Sequence, residues 1–72
     1  MYRLKEGVYD KIKNLYPDFN VNKFADKVGI KPCFTSLLLN RHRTCSKTTA
    51  YCFAKALSPN LEIDDIFDKE RD

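Results

Sequence analysis

The sequence predicts an all-α fold, a compact domain of five helices. Three observations carry this. Apolar residues recur at the three- and four-residue spacing of amphipathic helices. Chain breakers fall between those runs, at Pro17, at Gly29 and at Ser58-Pro59-Asn60. No stretch alternates apolar and polar residues with the period of two that a half-buried strand shows. With 72 residues, 43% of them hydrophobic, residues 1–72 can bury one modest core and form one domain.

Each element follows from its residues. Leu4, Val8, Ile12 and Leu15 lie on one stripe of a first helix that leaves Lys5, Glu6, Lys11 and Lys13 in solvent and stops at Pro17. Asn20 is placed to cap a second helix by accepting a backbone N–H, with Phe24, Ala25 and Val28 as its apolar face and Gly29 as its turn. Phe19 before the cap and Phe24 after it can form a hydrophobic staple. Pro32 suits the first position of a third helix, where its missing N–H needs no partner, and that helix ends near Asn40. Arg41 to Cys45 reads as a basic loop. Ser46 caps a fourth helix carrying Ala50, Phe53, Ala54 and Leu57 inward. Leu61, Ile63, Ile66 and Phe67 form a last short helical patch, and 68–72 is a charged, frayed tail.

Composition restricts the function. A chain this short has no room for a catalytic cleft and a separate substrate domain, His42 has no acidic neighbour in sequence, and no motif supplies an activated nucleophile. No enzyme, cofactor or small-molecule substrate is expected. The net charge of +3 and pI near 8.8 suit a polyanion partner but fall short of tails that bind by charge alone, so any nucleic-acid contact must be local. Cys33, Cys45 and Cys52 are odd in number and lack disulfide-framework spacing, which points to free thiols and a cytoplasmic setting. Their gaps also lack the close pairing of structural zinc sites, so no metal is expected. No run approaches the ~18 apolar residues of a membrane span, and Met1 to Glu6 has no apolar leader core.

Residues 20–40 carry the most informative pattern. Phe24-Ala25-Asp26-Lys27-Val28-Gly29-Ile30, followed by the apolar run from Phe34 to Leu39, reads as two short helices hinged on one glycine, a helix-turn-helix. Gly29 permits a turn with positive φ, Ala25 permits close helix approach, and Val28, Ile30 and Leu38 seal the angle.

From Asn20 to Leu57 the chain resembles, without a gap, the Cro and repressor helix-turn-helix family of bacteria and their temperate phages. The residues that match are Asn20 at the cap, Phe24-Ala25, Val28-Gly29-Ile30, Ser46, and Ala54-Lys55-Ala56-Leu57. Leu61 to Phe67 looks like that family's last helix, with an approach about two residues longer. The resemblance implies transcriptional control in a bacterial or temperate-phage genetic switch, by binding operator-type double-stranded DNA. Members that read palindromic sites usually dimerise, so a homo- or heterodimer is compatible with it, although no segment here is a clear dimerisation helix.

The departures fall on the positions that would meet DNA. Val21 stands where the family commonly has a phosphate-contacting Gln. Pro32, Cys33 and Phe34 open the recognition helix where polar base-reading residues are common, and Leu37 follows one turn later on the same exposed side. None of these makes a bidentate hydrogen bond to a base edge. One reading keeps the face in a major groove, flanked by phosphate contacts from Asn22, Lys23, Lys31, Asn40, Arg41, His42, Arg43 and Lys47. The alternative makes Val21, Pro32, Cys33, Phe34 and Leu37 an apolar interface with a basic rim. In that case the chain is similar to short antirepressors, modulators of repression from temperate phages of Gram-positive bacteria, and covers the DNA-binding domain of a partner repressor. Leu37, Leu38 and Leu39 cannot all point inward on one helix, so at least one of them should be exposed.

Overall fold

Gly7 decides where the first helix begins. In the computed structural model, which describes residues 1–70, its φ is 83°, a left-handed conformation that residues with a side chain avoid. The backbone therefore does not run helically from Leu4. Tyr2–Leu4 is instead a short strand, β1, and helix α1 covers Val8–Leu15. The order continues with α2 (Val21–Val28), α3 (Pro32–Leu39), α4 (Lys47–Leu57), the single-turn α5 (Ile63–Ile66) and a second strand, β2 (Phe67–Lys69). The five expected helices are present, but the all-α class is corrected to a mostly helical fold with a small two-stranded sheet.

The sheet is antiparallel, with Tyr2 opposite Lys69, Arg3 opposite Asp68 and Leu4 opposite Phe67. Tyr2 also exchanges two backbone hydrogen bonds of 2.8 Å with Cys45, which ties the loop before α4 to β1. Strands of three residues are too short to show alternation, and Leu4 and Phe67 fit the adjacent helical stripes equally well by spacing. Pairing also orders most of the expected tail, since the Glu70 N–H donates to the Met1 carbonyl at 2.8 Å. Arg71 and Asp72 lie outside the described residues.

Beside the ribbon, Arg3 Nε meets Glu70 Oε2 at 2.8 Å. The hydrogen bond from Arg3 is the main reason the Glu70 carboxyl sits below its ordinary range. A depressed carboxyl adds stability above its unfolded value, near ~4.3, and that stability disappears as pH falls through the folded value. Both groups are solvent-accessible, so the effect is small. Acid titration of thermal stability should show a loss below about pH 4 that Glu70→Gln removes.

The helix ends are capped as their residues predict. Asn20 Oδ1 accepts from the Lys23 N–H at 3.1 Å, and Ser46 Oγ accepts from the Thr49 N–H at 3.3 Å. Gly29 ends α2 with φ 89° while its N–H and that of Ile30 both donate to the Ala25 carbonyl. A Cβ built on Gly29 meets nothing within 4 Å, so a side chain there is penalised through backbone strain alone. Gly29→Val should lower stability by at least ~1 kcal/mol, read as a fall in melting temperature.

The core forms where α2, α3 and α4 meet the sheet. Ala25, Leu38, Ala50, Phe53 and Ala54 are fully excluded from solvent. Four aromatic rings run through it in series. Phe19 and Phe24, the expected staple pair, have centroids 5.2 Å apart; Phe24 and Phe53 are 4.8 Å apart, and Phe53 and Phe67 5.4 Å, the last two edge to face. The one buried polar side chain among the described residues, Thr35, donates Oγ1–H to the Lys31 carbonyl at 3.0 Å. Leu15 departs from its expected stripe: at the last turn of α1 it is 72% exposed.

Candidate functional site

The α2–α3 pair is joined by the tight turn at Gly29, Ile30 and Lys31. Lys31 caps α3 with extended backbone and Pro32 follows at the first helical position. From there the helix sorts its residues by angle. Thr35, Leu38 and Leu39 are buried, Phe34 and Leu37 are half-buried, and Pro32, Cys33, Ser36 and Asn40 face solvent. No residue in this solvent-facing row is charged.

This sorting corrects the expected five-residue apolar patch. Val21 and Phe34 are partly buried because they pack against the hydrophobic core, so they are at most the floor of a contact surface. Leu37 is half-buried, and no leucine of the triplet is exposed. Pro32 and Cys33 remain outward as expected. Ser36, one turn beyond Cys33, joins them; its three-residue spacing from Cys33 was the available signal, masked by the apolar run around it.

The flanking polar residues divide into two groups. Asn40 Nδ2 donates to the Ser36 carbonyl at 2.9 Å, so part of its amide is engaged at the end of its own helix. Arg41 is the one non-glycine residue with positive φ, 63°, among the described residues. Its Nε donates to the Leu4 carbonyl at 2.9 Å, and its own carbonyl accepts from Arg3 Nη1. Arg41 thus ties the end of α3 to β1. Asn22, Lys23, Lys31, His42, Arg43 and Lys47 form the second group, exposed and without a salt bridge among the described residues.

The thiols are likewise divided. Cys33 and Cys52 are exposed, whereas Cys45 is buried beside the sheet, where desolvation pushes its pKa up to about 11 and keeps it a neutral thiol. Among the described residues no three His, Cys, Asp or Glu side chains converge as a metal-binding group, and no helix is long and apolar enough to cross a membrane.

No family model, curated protein or solved structure matches this chain. The case for function therefore rests on the α3 face and its surroundings.

Proposed function

We propose that this chain is a helix-turn-helix regulator of the Cro and repressor type, acting in a bacterial or temperate-phage genetic switch as an antirepressor. Its α3 face docks on the DNA-binding domain of a partner repressor and keeps that domain from its operator. The observation that carries this reading is the uncharged solvent row Pro32, Cys33, Ser36 and Asn40. The most discriminating base contacts come from Arg, Lys, Asn or Gln side chains free to bond two base atoms at once, whereas a serine such as Ser36 can offer only a less selective contact. In this row only Asn40 is of that type, and its amide nitrogen already donates to Ser36. Sparse charge at the centre with charge outside it is the usual anatomy of a protein interface.

Operator-type DNA is the second reading, and one specific observation favours it. Lys23, Lys31, Arg43 and Lys47 are exposed and unpaired among the described residues, as phosphate contacts would be. In this reading specificity comes from DNA shape more than from base edges.

Cys33→Arg separates the two because its effects have opposite sign. The thiol is exposed, so the fold should tolerate the change, apart from the few tenths of a kcal/mol that a cation costs near a helix N-terminus. Against a panel of Cro-type repressor domains, docking should weaken by ~2 kcal/mol, roughly 30-fold, with little salt dependence in the wild type. If DNA is the partner, the same variant should bind duplex more tightly and steepen the salt slope by about one unit.

A further inference from the structure

Arg41 stands where the end of a helix usually calls for glycine. Asn40 caps α3. Beyond it the Arg41 N–H donates to the Leu38 carbonyl at 3.1 Å and the His42 N–H to the Leu37 carbonyl at 2.9 Å. This pair of bonds, with Arg41 left-handed at φ 63°, is a Schellman ending, whose left-handed residue is commonly glycine because a side chain there is strained. Gly29 supplies the left-handed residue at the end of α2.

Strain of this kind persists where the surroundings over-determine the conformation. The Arg41 side chain and carbonyl show what does so. Its Nε donates to the Leu4 carbonyl at 2.9 Å, its carbonyl accepts from Arg3 Nη1, and Arg3 Nε is held in turn by Glu70 Oε2 at 2.8 Å. A glycine would make the turn without strain but could not reach Leu4. The tie also has a particular place. Asn40, in the solvent row of α3, immediately precedes Arg41, and the exposed His42 and Arg43 follow it. Asn40 is joined to Ser36 of the same row, so what holds Arg41 holds the outer half of that row.

We propose that Arg41 is a positioning residue of the docking face: the contacts running from Glu70 through Arg3 and Arg41 to Leu4 fix the outer end of α3 against β1 and set the aim of Ser36 and Asn40 toward the partner. Arg41 is thereby withdrawn from the basic rim. Arg3, on the ribbon, serves docking without touching the partner. The inference rests on α3 being the docking face, as proposed above, and deepens that reading.

Arg41→Gly removes the tie and relieves the turn, so its melting temperature should stay close to that of the wild type, while docking on Cro-type repressor domains weakens at least ~5-fold. Arg3→Met keeps the aliphatic stem and loses only exposed polar contacts, so the fold should tolerate it; docking should weaken in the same direction, at least ~3-fold. The double variant should dock no more weakly than Arg41→Gly alone, because both changes cut one chain of contacts. Arg41→Lys keeps the charge without the planar Nε donor and should lose docking as Arg41→Gly does. Amide hydrogen exchange needs no partner: at His42, corrected for intrinsic rates, it should quicken at least ~5-fold in Arg41→Gly and in Arg3→Met, with the core amides of α4 unchanged. Exchange at His42 that stays at the wild-type rate in both variants overturns the proposal. So does docking that survives Arg41→Gly, or that Arg41→Lys preserves and Arg3→Met leaves untouched, the pattern of a direct cationic contact. A wild type that docks on no repressor domain and no duplex defeats the function proposed above, and hydrogen exchange then decides the tie by itself.

Discussion

Phe53→Ala is expected to lower stability by about 3–5 kcal/mol, the largest effect of any single substitution considered. The ring is wholly excluded from solvent and stands edge to face between Phe24 and Phe67, so truncation removes apolar area, two aromatic contacts and the support between α2 and β2. A domain of this length has a total stability of about 4–11 kcal/mol. Urea unfolding should therefore show a midpoint reduced by about a quarter or more, or no folded baseline at all. Phe53→Leu, which keeps most of the volume, should recover much of the loss. A Phe53→Ala midpoint equal to that of the wild type would mean that this ring does not bridge α2, α4 and β2.

Leu4→Ala is the second large effect, at about 2–5 kcal/mol. Leu4 is 1% exposed and lies opposite Phe67 in the ribbon, and its carbonyl receives the Arg41 guanidinium. Removing the side chain should loosen β1 and the Arg41 contact together. Leu15→Ala is the informative companion. By sequence spacing Leu4 and Leu15 lie on the same helical stripe and should cost the same. By the structure Leu15 is 72% exposed, and its truncation should change stability by no more than about 0.5 kcal/mol. Equal losses would restore a continuous first helix; unequal losses, seen by thermal melting, support the strand.

These two leucines also show where the sequence could be read and where it could not. Caps and turns are local, so Asn20, Gly29, Pro32 and Ser46 announced their roles through chemistry that acts within three or four residues. The ribbon is not local: Leu4 meets Phe67 across nearly the whole chain, and three-residue strands carry no periodic signature. Gly7 was the available warning, a residue of high helical cost within the supposed first helix. On α3 the helix itself was legible, but the outward direction of each side chain depends on how α3 packs on the core. That is why Phe34, polar-face by position, is drawn inward, and why Ser36 passed unnoticed. Arg41 read as a free loop charge because its acceptor, the Leu4 carbonyl, is distant in sequence.

The ribbon makes the described chain a closed ring, with the Met1 carbonyl bonded to the Glu70 N–H. Closing a loop of this length costs roughly 4 kcal/mol of chain entropy with no contacts between neighbouring residues to offset it, so the closure follows helix formation in time and draws on the core for its stability. The ends of a simple helical bundle fray independently of one another. Here residue 1 cannot leave without releasing residue 70, so both ends should open in one event. Because Tyr2 is paired with Cys45 and Arg41 with Leu4, the same event slackens the segment that follows α3. Hydrogen exchange at the two ends of the chain and at Cys45 should therefore keep a common rhythm, although these amides lie far apart along the sequence.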